Sequence, residues 1–256
     1  MSFDTTLASP MPPLSAGTHW IDGDSCVGFL PDGDAPGPRV KITPAHSSVS
    51  RHSVNLLLER RYGWRGYSVV GLEAHPVSNR ITLTATDDSA TIGTITVGLD
   101  GPQGMSCDDA FGPEIAKLRA EGLRLCEFTK LAVEPVCNTK RVLAALFHVA
   151  YLAAYRVRKF DLLQMEVNPR HLRYYQRMLG AKVIGEPRIN RSVNAPAVLL
   201  SIEFSYIRQQ IEKFAGRPEL AATERSLYPF AFAEHEEAGI VSRLLSHHVS
   251  MPMALN

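Results

Sequence analysis

The middle of this chain limits its fold more than any other feature. It contains a predicted strand, a long apolar helix and a second predicted strand in succession. The first strand covers residues 125–133, and Pro135 ends it. The helix, capped by Asn138 or Thr139, is apolar on nearly every side and must be buried against a sheet. The strand Asp161–Val167 follows. Two strands joined by a crossover helix lie parallel in one sheet.

Hydrophobic periodicity predicts further elements on both sides of this unit. The additional predicted strands are Tyr67–His75, Arg80–Thr86, Thr91–Leu99 and Ala195–Phe204. The additional predicted helices are Ser47–Arg61, Asp108–Glu121 and Arg170–Leu179. Because the early strands form a meander, the sheet is predicted to be mostly antiparallel with a central parallel pair. The predicted class is α+β, or mixed α/β, with helices flanking the sheet.

Composition divides the chain into three predicted parts. Residues 1–45 are rich in Pro, Gly, Asp and Ser and are predicted to form an extended or mobile arm. Residues 46–210 are predicted to form one main domain, and residues 211–256 a helical tail without assigned chemistry.

Charge and cysteine content exclude several classes of protein. A net charge of +1 gives no reason to expect a nucleic-acid partner. No run approaches the ~18 apolar residues of a membrane span, and the N-terminus lacks the pattern of a secretion signal. We therefore expect a cytoplasmic protein, and peripheral contact with a membrane stays open. The four cysteines show no paired spacing and no nearby histidine, so neither a disulfide framework nor a metal site is predicted.

Glu127 and Thr129 place a carboxylate and a hydroxyl two residues apart within the first central strand. Side chains alternate across a strand, so both are predicted to share one face with Leu125 and Leu131, while Lys130 is predicted to take the other face. A carboxylate in apolar surroundings tends to have a raised pKa, which suits it to proton transfer near neutral pH. The alternative is a structural ion pair between Glu127 and a neighbouring Arg or Lys.

The order of elements resembles the GNAT acyltransferase fold, and three segments resemble the N-acyl amino acid synthases of the FeeM type. These segments are Leu125–Pro135, Glu166–Tyr175 with Leu179-Gly180, and Asn194–Leu200. The resemblance covers about residues 47–205. It implies transfer of a long acyl group from acyl carrier protein to the α-amine of an amino acid.

The same family is similar to the acyl-homoserine lactone synthases, which carry the motif Glu-Leu-Ser-Arg-Phe. Residues 127–131 of this chain resemble that motif, but Lys130 replaces its arginine. Arginine and lysine are not interchangeable at a bidentate site, so the role of that arginine does not transfer directly.

The start of the long helix favours a carrier-protein donor over coenzyme A. GNAT enzymes that bind coenzyme A have a glycine-rich loop there, whose backbone N–H groups approach the pyrophosphate, and this chain has no glycine at that place. Lys140 or Arg141 can meet the single phosphate of an acyl-phosphopantetheine arm, so no permanently bound cofactor is expected. Arg170, Arg173 and Arg177 fall on one helical face and suit an acidic carrier protein, or form an ordinary solvated face.

The reaction assigns a role to each remaining candidate. Glu127 is predicted to take a proton from the amine, directly or through water, and Thr129 to hold the amine or that water. Tyr175 is predicted to protonate the leaving thiolate, or else to serve packing. Arg61 or Arg65 is predicted to meet the carboxylate of the acceptor.

Lys130 and His171 complete the predicted substrate-binding set, although His171 equally suits a structural role in its loop. Two other functions stay open on the sequence alone. One is acetyl-coenzyme-A-dependent N-acetylation, and the other is a non-catalytic module that binds carrier protein or lipid.

Overall fold

One mixed sheet of nine strands organises the residues that the computed structural model describes, namely 28–29, 40–63, 66, 71–87, 90–135 and 139–249. The strands are β1 (Gly28–Phe29), β2 (Val40–Pro44), β3 (Arg80–Asp87), β4 (Ala90–Leu99), β5 (Leu125–Val133), β6 (Leu162–Val167), β7 (Lys182–Val183), β8 (Arg188–Asn190) and β9 (Ala195–Glu203). The α-helices are α1 (Ser48–Leu58), α2 (Asp108–Ala120), α3 (Thr139–Tyr151), α4 (Leu172–Leu179), α5 (Phe204–Phe214) and α6 (Glu234–Val249).

The strand order is β1-β2-β3-β4-β5-β6-β9-β7, and β8 pairs with β9 beside this path. The β5–β6 pair is parallel, and the other pairs among the described strands are antiparallel. The crossover between the two parallel strands contains α3, as the central pattern of the sequence predicts. The predicted class and the central parallel pair are therefore confirmed.

The two faces of the sheet are covered by different helices. On one face, the apolar surface of α3 packs with Cys126 and Phe128 of β5 in the main hydrophobic core. On the other face, α2 packs Phe111 and Ile115 against Leu125. The helix α1 covers a third cluster at the far end of β5.

The predicted arm and tail both need correction, because each contributes to the sheet or to its core. The strand β2 lies within residues 1–45 and pairs with β3, and its Ile42 is fully buried. At the other boundary, α5 begins at Phe204, and Tyr228 and Ile240 belong to the main core. Short apolar stretches inside Pro- and Gly-rich sequence are poorly marked by periodicity, which explains both errors.

The predicted strand Tyr67–His75 is wrong where it can be examined, since residues 67–70 lie outside the described part and residues 71–75 form a loop. The Asn55 side chain of α1 makes the hydrogen bonds to the backbone of this loop that a neighbouring strand would otherwise make. Its Oδ1 accepts a hydrogen bond from Leu72 N at 2.7 Å, and its Nδ2 donates to Leu72 O at 3.3 Å.

The helix predicted from Arg170 begins two residues later, at Leu172. The preceding residues form the 3-10 turn Pro169–His171, because Asn168 Oδ1 accepts a hydrogen bond from Arg170 N at 3.1 Å and Pro169 fixes the first position of the turn. The helix ends as predicted at Gly180, whose φ of +76° is readily adopted only by glycine.

Candidate active site

A row of polar side chains crosses the sheet face that lies opposite α3. Register pairing and alternation place its members on this face: Thr43, Thr84, Thr82, Thr96, Thr129, Glu127, Gln164 and Ser201. Several are bonded to one another; for example, the Oγ1 atoms of Thr82 and Thr96 lie 2.9 Å apart. Burying polar groups costs free energy unless they form hydrogen bonds or bind a ligand. This face of the sheet is therefore the one that carries side chains suited to bind a substrate or transfer a proton.

Glu127 lies at the centre of this row and is only 3% exposed. Its Oε1 accepts a hydrogen bond from Ser106 N at 2.8 Å, and its Oε2 accepts one from Cys107 N at 3.1 Å. These two residues directly precede α2, where helix geometry leaves N–H groups without partners and favours a negative charge. Glu127 therefore anchors the start of α2 to the middle of the sheet.

The Cys107 side chain lies against this carboxylate as a buried free thiol. Burial raises the pKa of Cys107, and the nearby Glu127 charge and hydrogen bond raise it further. Cys107 therefore stays protonated at neutral pH and is not a nucleophile in this arrangement.

The two parallel strands part immediately beyond Glu127. Their paired residues end with Glu127 on β5 and Gln164 on β6, although β5 continues for six residues and β6 for three. Strands that diverge in this way expose backbone N–H groups along a gap. The gap is thus a place where a carbonyl oxygen can be bound.

A bulge on β5 follows at Lys130, whose φ of +50° lies in the left-handed region. Thr96 pairs with Thr129 and Thr94 with Ala132, so β5 carries one residue more than β4 between these pairs. The bulge changes which face each later residue takes.

The prediction that Leu131 shares the face of Glu127 is wrong for this reason. Leu131 packs against the main core on the α3 side, whereas Ala132 belongs to the cluster under α1. Simple alternation omits the extra residue of the bulge.

Lys130 is half-buried and lies among charged side chains of the polar face. Burial lowers its pKa, and Arg80 lowers it further, whereas Glu73 and Glu127 act in the opposite direction. Simple alternation along β5 places Lys130 on the face opposite Glu127 and Thr129, and this prediction is wrong. The bulge turns Lys130 towards the polar face, where it interacts electrostatically with Glu127.

Glu166 is a second carboxylate on the same face and was not among the predicted site residues. It stands two positions after Gln164 on β6, where the parallel strands have already parted. Its Oε1 accepts a hydrogen bond from Asn190 Nδ2 at 2.8 Å. Burial raises the pKa of Glu166 to about 7, and the charges of Glu127 and Asp109 contribute to this rise. Alternation along a strand parallel to β5 is the signal that would have found it.

Tyr175 lies half-buried on α4 and packs against the main core. Burial raises its pKa, with a further contribution from Tyr62, so its phenol stays protonated. Tyr62 in turn donates a hydrogen bond to Leu131 O of β5 at 2.6 Å. Tyr175 therefore lies on the side of the gap where β5 ends.

The other predicted cations lie at separate places. Arg61 Nη1 lies 3.8 Å from Glu134 Oε2, so the end of β5 already offers it a carboxylate. Arg65 lies outside the described residues. Lys140 is exposed, and the Arg141 guanidinium lies 6.0 Å from the Phe230 ring centroid.

The three predicted arginines of the α4 region are all exposed: Arg170, Arg173 and Arg177. Arg170 Nε donates a hydrogen bond to Nε2 of the neighbouring His171 at 3.1 Å, so His171 orients a cation in the turn. These residues lie at the surface, in the 3-10 turn before α4 and on α4 itself.

An apolar cavity lies on the opposite face of the sheet, behind the same parting of the strands. Its free space is about 400 Å³, including the part open to solvent. Phe128 of β5 and Leu163 of β6 contribute to its wall. The remaining lining residues come from α3, the end of α4, β9, α5 and the segment before α6: Ala144, Phe147, His148, Tyr151, Leu179, Ile202, Ile207, Ile211, Leu227, Tyr228 and Ala231.

His148 is the polar exception in this wall. Its Nδ1 accepts a hydrogen bond from Phe232 N at 3.0 Å, and its Nε2 lies 3.6 Å from Glu237 Oε2. Glu237 also pairs with Arg156. His148 therefore fixes the segment before α6 against α3 and is a structural core histidine.

The described residues show neither a metal site nor a membrane span. None of their His, Cys, Asp and Glu side chains form a group of three that could hold a metal ion. None of their helices has both the length and the apolar character needed to cross a bilayer.

Replacing Gly98 with alanine is expected to disturb the centre of this site. Gly98 pairs with Glu127, and an added Cβ would lie 2.8 Å from its Cγ and 2.9 Å from its Oε1. We expect a loss of about 1–3 kcal/mol in the free energy of unfolding, measured in urea, because the carboxylate must move away from its two N–H donors. Gly101→Ala is the matched control, since an added Cβ there meets open space. Equal stability of the two variants would contradict the tight fit.

Comparisons with known proteins agree with this architecture. The family model described as "N-acyl amino acid synthase FeeM" matches residues 53–203, which is more than half of the chain. The solved structure of FeeM, from uncultured soil microbes, superposes with a TM-score of 0.60 at 24% identity, covering 67% of this chain and 94% of that chain. No curated protein sequence matches this chain.

More distant structures include an acyl-CoA N-acyltransferase from Pseudomonas aeruginosa, with a TM-score of 0.45 and 13% identity over 63% of this chain and 98% of that chain. The structure of ElaA from Escherichia coli superposes with a TM-score of 0.48 at 7% identity, and it also covers 63% of this chain and 98% of that chain.

Proposed function

This chain belongs to the FeeM family of N-acyl amino acid synthases and is an acyltransferase, and on that premise we propose that it transfers a long acyl chain from the thioester of an acyl carrier protein to the α-amine of an amino acid. One observation carries the proposal. The polar row and the apolar cavity meet at the same point of the sheet, where β5 and β6 part. A substrate with a reactive polar end and a long apolar end fits this arrangement.

The acyl chain is assigned to the apolar cavity and the thioester carbonyl to the gap between the strands. Phe128 and Leu163 mark the passage from one to the other. Backbone N–H groups along the parted strands supply donors for the oxyanion of the tetrahedral intermediate. The amino acid then approaches from the polar face, beside Glu127 and Thr129.

The acceptor is held by charge on the polar face. Among the predicted cations, Lys130 lies nearest to Glu127 in the sequence. Its side chain interacts electrostatically with Glu127, Glu73 and Arg80. We assign the α-carboxylate of the acceptor to the half-buried Lys130, because charge-assisted hydrogen bonds to carboxylates are strong. Arg80 is a weaker candidate, since its Nη1 already lies 3.5 Å from Glu73 Oε1. Arg61 is a weaker candidate, since Glu134 already lies beside it.

The donor is assigned to the end of the sheet where α3 begins. Lys140 is exposed there and suits the phosphate of a phosphopantetheine arm. Arg170, Arg173 and Arg177 add an exposed cationic surface for an acidic carrier protein. Tyr175, which stays protonated, is the proposed acid for the leaving thiolate.

The test is an assay of the purified chain with acyl carrier protein and acyl-coenzyme A that carry the same long acyl group, against a panel of amino acids. We expect a new amide by mass spectrometry together with release of the carrier thiol, and a higher kcat/KM with the carrier protein. Absence of any amide with both donors would overturn the proposal. A preference for acetyl-coenzyme A would favour the N-acetyltransferase function instead.

Charge reversal at Arg173 and Arg177 tests the carrier-protein surface within the same assay. We expect the double substitution to glutamate to lower kcat/KM for the acyl carrier protein by about tenfold, because exposed charges chiefly set the rate of encounter. The rate with acyl-pantetheine, which lacks the protein, should not change. Lys41→Glu with Lys117→Glu changes the net charge equally at exposed sites on β2 and α2 and serves as the control.

A further inference from the structure

The two carboxylates of the polar face differ in what their oxygen atoms do. Both oxygens of Glu127 accept backbone N–H groups at the start of α2, and its side chain is 3% exposed. Glu166 is half-buried, and a single donor, Asn190 Nδ2, reaches its Oε1. Among the described residues, none donates a hydrogen bond to Oε2 of Glu166.

Their positions relative to the gap also differ. Glu127 belongs to the last pair of residues that joins β5 to β6 and so lies where the gap closes. Glu166 stands two residues further along β6, beside the open part of the gap. The charge of Glu127 acts on Glu166, so the two carboxylates are neighbours on this face, one at the closed end of the gap and the other beside its open part.

We propose that Glu166, and not Glu127, is the catalytic residue that accepts the proton of the attacking amine, while Glu127 is a positioning residue that fixes α2 and the floor of the site. The inference rests on the proposed acyl transfer and identifies its base.

In this step a C–N bond forms and the C–S bond of the thioester breaks. The ammonium of the amino acid gives one proton to Glu166, and the lone pair of the resulting amine forms a C–N bond to the thioester carbonyl carbon. The C–S bond breaks, and the sulfur leaves with its electron pair. Tyr175 gives its proton to this thiolate and regains one from the new amide nitrogen, and Glu166 releases the first proton to solvent.

The surroundings of Glu166 suit this role. A base is most effective when its pKa lies near the working pH, and burial raises the pKa of Glu166 to about 7. The groups that act on it are Glu127 on β5, Asp109 in the first turn of α2 and Asn190 on β8, and the protonated Cys107 thiol before α2 also lies close enough to interact with it. The two carboxylates raise its pKa, whereas the Asn190 hydrogen bond lowers it.

The pH dependence of kcat provides the test, measured with an acyl carrier protein and a fixed amino acid. Activity of the parent enzyme is expected to rise with pH through about 7, because the anion of Glu166 is the active form. Glu166→Gln is expected to lower kcat by about 10²- to 10⁴-fold and to abolish this rise. Glu203→Gln, which changes an exposed carboxylate at the end of β9, is the matched control and should match the parent.

Two further variants give shifts of opposite sign. Asn190→Ala removes the hydrogen bond that stabilises the anion, so the rise should move to higher pH. Glu127→Gln removes a neighbouring negative charge, so the rise of its remaining activity should move to lower pH.

Thermal unfolding separates loss of chemistry from loss of fold. The folded state raises the pKa of Glu166 above its unfolded value, so the stability that its protonated form provides is present at low pH and is lost as the pH rises through about 7. At pH 8, Glu166→Gln should therefore unfold at the same temperature as the parent or at a higher one.

The outcomes are distinct. If the parent enzyme forms the amide but Glu166→Gln keeps its kcat and its pH profile, Glu166 is not the base. If Glu127→Gln instead abolishes the pH-dependent rise, the base is Glu127. A parent enzyme that forms no amide at any pH overturns the proposed function itself.

Discussion

A chain that ends at Glu203, where the match to the family model stops, is expected not to fold. The residues beyond it supply part of the main core, including Phe204, Ile207, Tyr228 and Ile240. Burial of one large apolar side chain stabilises a fold by about 1.5–3 kcal/mol, so these four contribute roughly 6–12 kcal/mol. Most domains have a total stability of about 5–15 kcal/mol, so the truncated chain would keep little or none.

Specific hydrogen bonds support the same expectation. Tyr228 donates its hydroxyl proton to Leu179 O at 2.7 Å, and Leu227 N donates to Met178 O at 3.0 Å, which joins the C-terminal segment to the end of α4. Circular dichroism in the near ultraviolet and urea unfolding would measure the loss. The full-length chain, measured under the same conditions, is the control. A cooperative transition of the chain that ends at Glu203 would show that the C-terminal segment is an accessory.

The central part of the fold was predictable because its signals are local and strong. The strand β5, the apolar helix α3 and the strand β6 follow in sequence with clear periodicity, and their order fixes the parallel pair. The anchoring residue Glu127 was found for the same reason, since a carboxylate inside an apolar strand is conspicuous.

The features that the sequence did not predict depend on contacts between distant parts of the chain. The bulge at Lys130 appears only when β4 and β5 are aligned, and it moved Leu131 to the other face. Alternation along β6 marks the face of Glu166, but its partner Asn190 was not predictable because it comes from β8, a three-residue strand with no periodicity. The apolar cavity was equally hidden, since its wall combines α3 with residues far beyond it, such as Ile211.

The preferred length of the acyl chain is expected to follow the size of the apolar cavity. Ala144 on α3 is buried in its wall and is the smallest side chain that α3 contributes there. Ala144→Phe would fill part of the cavity and exclude the end of a long acyl chain. Each methylene that loses its burial costs about 0.8 kcal/mol, so excluding four of them lowers kcat/KM by roughly 200-fold for the longest substrates.

The test compares how kcat/KM depends on the length of the acyl chain in each variant, rather than the absolute rates. Measured as kcat/KM over a series of acyl thioesters, the optimum of Ala144→Phe should move to shorter chains, and short substrates should react nearly as in the parent. Ile211→Ala enlarges the same cavity from α5 and should move the optimum to longer chains, although it also lowers the stability by about 2–5 kcal/mol. Shifts in opposite directions cannot arise from a general loss of folding. A uniform fall over all lengths in both variants would place the acyl chain elsewhere.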